Sequence, residues 1–218
     1  MTIYPGINCS NFDCVKERIA KCKELGAVIA HVDISDGKFT KTITWNDPEE
    51  LRKTFSMSHS TCPELELHLM VQNPKEVLEA WRENDVRRVI VHVDAVEREE
   101  FDLIVEHSEL NNIEVVPAVT ANVSTRRILR YLDEFKFRSA LVLAVAPGPS
   151  GQKFDDGALE VVRELKSKFP KLSIVVDGGV NPDVALRAKE AGADTLISTS
   201  YIWESKDPKS SYEKLKNL

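Results

Sequence analysis

Two histidines and two aspartates stand at comparable places in three short apolar runs of this sequence. The first run carries His31-Val32-Asp33, the second Glu66-Leu67-His68-Leu69-Met70, and the third Val176-Asp177-Gly178-Gly179. If these runs are strands, alternation turns His31 and Asp33 to one face. Two carboxylates brought together away from water repel, and one is driven to take up a proton unless a divalent cation compensates them. A mixed imidazole and carboxylate set suits Zn²⁺, Fe²⁺, Mn²⁺ or Co²⁺ better than Mg²⁺ or Ca²⁺. A single histidine in an apolar strand is more often a hydrogen-bonded core residue, and Asp33 alone would read as a cap or turn residue. Four such residues at equivalent places on three strands are harder to explain that way. His92, in Val91-His92-Val93-Asp94, ends another apolar run with the same His-x-Asp pattern. It is read as a group beside the site and not as a ligand, and His59 and His107 are read as surface residues.

A second group of residues points to an anion. Ala146-Pro147-Gly148-Pro149-Ser150-Gly151-Gln152, Gly178-Gly179 and Ser198-Thr199-Ser200 each follow a late apolar run. Small residues free backbone N–H groups to approach a phosphate, although turns also require glycine for their own geometry.

The elements that must position these groups alternate along the whole chain. Strands are expected at 4–7, 28–34, 65–71, 88–93, 114–119, 140–146, 173–177 and 195–198, with the continuous apolar character of parallel strands covered on both faces. Helix starts are expected at Pro48 after Asp47, at Pro74 after Asn73, near Ser124 and at Asp156. Gly26 and Gly192 sit where the chain leaves a helix for a strand. Eight strand–helix alternations favour a (β/α)8 TIM barrel over a doubly wound sheet, and no GxGxxG follows the first strand. With no Gly/Ser linker and no shift in composition, residues 1–218 are expected to form a single barrel domain, with chemistry at the C-terminal ends of its strands.

Composition sets wider bounds. In 218 residues, 29 Lys and Arg against 35 Asp and Glu give a net charge of −6, with no electrostatic case for nucleic acid or an anionic membrane surface. An anionic substrate must then be held by local donors. The four cysteines, Cys9, Cys14, Cys22 and Cys62, form no CxxC and fit neither a zinc knuckle nor a disulfide framework, so reduced thiols in a cytosol are expected. The N-terminal residues lack the basic and apolar regions of a signal peptide, and no apolar run of about 18 residues exists to span a bilayer. A soluble, cytoplasmic protein is expected.

The motifs, taken in order, resemble those of the ribulose-phosphate 3-epimerase family over nearly the full chain. The resemblance runs through Pro5–Phe12, His31-Val-Asp-x-x-Asp-Gly37, Leu67-His-Leu-Met-Val71 with Asn73-Pro74, Val91-His92-Val93, Pro147–Phe154, Val176-Asp-Gly-Gly-Val180-Asn181 and Gly192-Ala193-Asp194. It implies one divalent metal ion (Zn, Fe, Mn or Co) held by His31, Asp33, His68 and Asp177. It also implies that Asp33 and Asp177 form an acid/base pair that moves a proton α to a ketone, through a cis-enediolate. The implied partner is a small-molecule ketose phosphate such as D-ribulose 5-phosphate, touched by Cys9, Met70, Gly148, Ser150, Gly151, Gly178, Gly179, Thr199 and Ser200. Homo-oligomers are frequent in barrels of this kind.

Departures from the family pattern lie around that centre. Cys9 stands where a serine is usual, Ser35 and Leu143 stand at methionine positions, and Ala146 replaces an asparagine. The usual Gly-Phe-Gly-Gly reads Gly148-Pro149-Ser150-Gly151, the usual Gly-Ser reads Thr199-Ser200, and Lys38-Phe39-Thr40-Lys41 replaces His-Phe-Val-Pro. The reading is retained chemistry with altered substrate handling. The rivals are the same reaction on another ketose phosphate, such as allulose 6-phosphate, and a non-catalytic barrel that binds metal or sugar phosphate. A decarboxylase or synthase of the orotidylate and hexulose-phosphate type would need Asp-x-Lys-x-x-Asp, which Asp33-Ile34-Ser35-Asp36 does not provide.

Overall fold

In the computed structural model, which describes residues 1–55 and 63–218, eight parallel strands close into one barrel in the order β1 to β8. They are β1 (Thr2–Ile7), β2 (Ile29–Ser35), β3 (Glu64–Met70), β4 (Val86–His92), β5 (Glu114–Thr120), β6 (Ser139–Leu143), β7 (Ser173–Asp177) and β8 (Thr195–Ser198). The helices are α1 (Phe12–Glu24), α2 (Pro48–Phe55), α3 (Pro74–Trp81), α4 (Arg98–Leu110), α5 (Arg126–Phe135), α6 (Gly157–Lys168), α7 (Pro182–Ala191), α8 (Ser200–Trp203) and α9 (Pro208–Lys216). The barrel is the expected architecture, and the strands expected at 173–177 and 195–198 have the expected bounds.

The strands are almost wholly buried because helices cover their outer faces while the inner faces fill the barrel. Pro48 and Pro74 open α2 and α3, where a proline gives up an N–H that has no helical partner. Asn181 caps α7 by accepting from the N–H groups of Asp183 and Val184. Gly192 leaves the same helix at φ 109, a left-handed conformation that glycine adopts without penalty.

Two expectations need correction. The sixth strand ends at Leu143 and not at Ala146, because the Ala144 N–H turns to the Asp177 carbonyl and its own carbonyl accepts from Asp155. The cysteines are not all thiols: Cys9, just past β1, and Cys14, in the first turn of α1, form a disulfide across a Cα separation of 5.9 Å. Spacing alone hides this pairing, since the tight β1–α1 turn is what brings the two residues together. Cys22 is buried in the core, and Cys62 and His59 lie outside the described residues. His107, on the outer helix α4, is half-buried.

Candidate active site

The strand register builds the centre directly. Asp33 on β2 lies opposite His68 on β3, and His31 lies opposite Glu66. Asp177 ends β7 on the other side of the barrel mouth. His31 and His68 are completely buried, while Asp33 and Asp177 are each 8% exposed and so reach the opening.

His31 Nε2 lies 3.2 Å from Asp33 Oδ1 and 3.6 Å from Asp177 Oδ2. His68 Nδ1 lies 3.2 Å and 3.4 Å from the same two oxygens. Four ligands placed tetrahedrally about 2.1 Å from a zinc-sized ion stand about 3.4 Å apart, so these spacings match such a cage. One ligand atom from each of the four residues falls within 4.8 Å of all the others. His68 Nδ1 is buried without an aligned hydrogen-bond partner, and it faces both carboxylates. The donor set therefore fits a divalent cation.

The remaining polar atoms of the cluster have partners behind it. His31 Nδ1 is 2.7 Å from Glu66 Oε1, and His68 Nε2 is 2.9 Å from His92 Nε2. The His92 ring stacks on His68 and packs against Phe39, while His92 itself is not among the four clustered ligands. Asp36 fixes the loop that carries Phe39 by accepting from the N–H groups of Lys38, Phe39 and Gln72. Asp33 Oδ2, the oxygen turned away from the histidines, accepts from Asn8 Nδ2 at 2.8 Å, and the same amide donates to the Gly148 carbonyl at 3.1 Å.

These contacts set the protonation of the metal-free cluster. Burial opposes charge on His31, but Asp33, Glu66 and Asp177 overcome it and raise the imidazolium pKa to about 10. His68 is raised in the same way, against its burial, by Asp177 and Asp33. Burial works against the Asp33 carboxylate, yet His31 and His68 hold it well below the usual range. Burial, and then the charge of His68, push His92 far below an ordinary histidine, so it stays neutral.

Above the cluster a small pocket opens at the barrel mouth. Of the residues expected to touch a ligand, Met70, Gly148, Ser150, Gly151, Gly178, Gly179, Thr199 and Ser200 line it together with Asp33, His68 and Asp177. His31 lies beneath it. Cys9 is not part of the lining, because its sulfur is bonded to Cys14. Among the lining residues there is no lysine or arginine, so the donors available to an anion are backbone N–H groups and the hydroxyls of Ser150, Thr199 and Ser200. Gly179 has φ +65, and a Cβ there would stand 2.6 Å from the Phe154 nitrogen, so this close backbone packing requires glycine. The Thr199 hydroxyl occupies the space over Gly6, 2.0 Å from where a side chain would begin. Gln152 pins the β6 loop by donating to the carbonyls of Ala146 and Pro149.

Asn8, Gln152 and Glu66 hold the site together through side-chain contacts that the motifs alone do not single out. Asn8 is a polar residue directly after the apolar run of β1, where the rule about C-terminal strand ends points. Glu66 lies two residues before His68 and so shares its face.

Fold and site together define a (β/α)8 barrel with a buried His/Asp cluster and a small-residue cavity at its C-terminal mouth. Solved structures with this fold include 3-hexulose-6-phosphate synthase from Salmonella typhimurium, with a TM-score of 0.71 and 14% identity over 100% of this chain and 97% of that one. Orotidine 5'-monophosphate decarboxylase from Sulfolobus solfataricus matches with a TM-score of 0.68 and 13% identity over 99% and 95%. The chain belongs to the ribulose-phosphate 3-epimerase family, whose model matches residues 2–203. The ribulose-phosphate 3-epimerase of Helicobacter pylori (strain 26695) is 30% identical over 100% of this chain and 98% of its own length. That of Methanocaldococcus jannaschii is 30% identical over 98% and 89%, and that of Chlamydia trachomatis 28% over 93% and 86%. Among the described residues, no helix is long and apolar enough to cross a membrane.

Proposed function

We propose that the protein, as one domain over residues 1–218, inverts C3 of a ketose phosphate, interconverting D-ribulose 5-phosphate and D-xylulose 5-phosphate. The observation that carries this reading is the pair Asp33 and Asp177, each 8% exposed at the cavity floor and each in contact with both buried histidines. His31 Nε2, His68 Nδ1, Asp33 Oδ1 and Asp177 Oδ2 would hold one divalent ion, Zn, Fe, Mn or Co. When bound, the ion polarises the ketone and hydroxyl oxygens and lowers the pKa of the carbon acid.

The chain's own residues do the rest. One of the two carboxylates takes the C3 proton, leaving a cis-enediolate, and the other returns a proton to the opposite face. Inversion requires two such groups on opposite faces, and no redox cofactor takes part. Asn8 holds Asp33 Oδ2 toward the cavity. Met70, Leu143, Val145 and Ile197 keep water from the intermediate. The backbone at Gly148, Gly151, Gly178 and Gly179 and the hydroxyls of Ser150, Thr199 and Ser200 hold the phosphate. We place the protein in the cytoplasm, as the name of its Oryza sativa relative, a cytoplasmic isoform, supports; the Cys9–Cys14 disulfide, of a kind rare in that compartment, stands against it.

The test is turnover of ribulose 5-phosphate and of allulose 6-phosphate by metal-loaded and chelator-treated protein. Metal-dependent epimerisation of ribulose 5-phosphate is expected. Preference for allulose 6-phosphate would reassign the substrate, and metal binding with no turnover of either would replace the enzyme by a binding barrel.

A further inference from the structure

Below the candidate metal ligands, a belt of charged side chains crosses three strands inside the barrel. In the register, His31 on β2 lies opposite Glu66 on β3, which lies opposite Arg88 on β4. Glu66 is completely buried and Arg88 is 7% exposed. Glu66 Oε1 is 2.7 Å from His31 Nδ1, and Glu66 Oε2 is 2.7 Å from Arg88 Nε. The Arg88 guanidinium in turn lies over the Tyr4 ring, 5.8 Å from its centroid.

An ion pair sealed in a barrel core is costly, and such a pair is seldom kept for stability alone. Here it touches the back of a candidate ligand. With Nδ1 engaged by a carboxylate, His31 must present Nε2 forward, which is the atom that faces Asp33 and Asp177. The charge count points the same way. With both imidazoles neutral, Asp33, Asp177 and Glu66 carry three negative charges and Arg88 one positive. A divalent cation then brings the buried cluster to neutrality, whereas without Arg88 it would remain anionic.

We infer that Glu66 is a positioning residue that orients His31 for the metal, and that Arg88 keeps Glu66 in place as its counter-ion. This rests on the metal reading above. Groups behind a metal-bound histidine typically change metal affinity by about 10- to 100-fold when altered.

The experiment is titration of purified metal-free protein with Zn²⁺ against a competing chromophoric chelator, with the visible spectrum of the Co²⁺ form as a second readout. Glu66→Gln should weaken Zn²⁺ binding by about 10- to 100-fold and change the Co²⁺ bands. Arg88→Lys, which keeps the counter-ion, should stay within about threefold of the parent. Should Glu66→Gln fail to fold with Arg88 left unpaired, the neutral double variant Glu66→Gln/Arg88→Met provides the same comparison. Affinity within threefold of the parent together with an unchanged Co²⁺ spectrum in the Glu66 variant would overturn the inference while the metal reading stands. A parent protein that binds neither Zn²⁺ nor Co²⁺ overturns the metal reading and this inference with it.

Discussion

Metal uptake should be a proton exchange, and its size follows from the cluster. Without metal, His31 is an imidazolium whose pKa is raised to about 10, and His68 is raised as well. Both must lose a proton before their ring nitrogens can bind a cation. At pH 7 the His31 proton alone lowers apparent affinity by about 10³-fold relative to pH values above 10. Between pH 6 and 8 each unit of pH should therefore tighten binding by about 10-fold from His31, approaching about 100-fold where His68 is also protonated. Calorimetric titration with Zn²⁺ or Co²⁺ in buffers of different ionisation enthalpy counts the protons, and between one and two should leave per metal bound at pH 7. A dissociation constant that is flat from pH 6 to 8, or release of clearly less than one proton, would refute this account of the cluster.

The same shifts govern stability. The folded His31 value lies above its ordinary 6.5, so its contribution to the metal-free fold is full below about pH 6.5 and is lost as pH rises toward 10. From 6.5 to about 10, at about 1.4 kcal/mol per pH unit, this is about 5 kcal/mol. Asp33 acts in the opposite sense: its contribution is present above the ordinary carboxylate value of 3.8 and is lost as pH falls below it. Thermal melts of chelator-treated protein should thus show falling Tm from pH 6.5 to 9.5, and saturating metal should remove most of that slope. A metal-free Tm that holds or rises over this range would contradict the assignment.

Three substitutions test the surroundings of the cluster. Asn8→Leu removes the donor to Asp33 Oδ2, a bond to a charged group worth about 1.5–3 kcal/mol, so kcat should fall about 10- to 100-fold with Zn²⁺ affinity little changed; steady-state kinetics beside metal titration separate the two. Gly179→Ala forces a side chain into left-handed backbone against the Phe154 nitrogen, and should raise KM for the sugar phosphate more than it lowers kcat, with a stability loss of about 1–3 kcal/mol in denaturant melts. Cys14→Ser opens a disulfide between residues five apart in sequence, which by chain entropy is worth about 2 kcal/mol and, for a chain of this size, lowers Tm by about 4–8 °C. An unchanged Tm under non-reducing conditions would show that the disulfide does not stabilise the fold.

The barrel was legible because its strands are unbroken apolar runs, and period-two alternation was enough to bring His31 and Asp33 to one face. The register did the rest, setting His68 beside Asp33. Legibility failed where contacts depend on how the chain turns. The β1–α1 turn pairs Cys9 with Cys14 and so takes Cys9 out of the cavity, which no cysteine spacing announces. Asn8 gains its role only when the β6 loop brings Gly148 to it, 140 positions away in the sequence. Arg88 and Glu66 would each read alone as exposed charges; only the lateral register of β3 and β4 reveals a buried pair.

If Asp33 and Asp177 move the C3 proton with the help of a divalent cation, isotope exchange at C3 of ribulose 5-phosphate in D₂O, followed by NMR with and without chelator, reads that step itself. Deuterium should enter C3 as the epimer forms and stop on metal removal; inversion should be lost in both Asp33→Asn and Asp177→Asn, and exchange into ribulose 5-phosphate should be lost in the variant that lacks the carboxylate facing its C3 proton. Exchange that persists in both variants, or that ignores the chelator, would contradict the account.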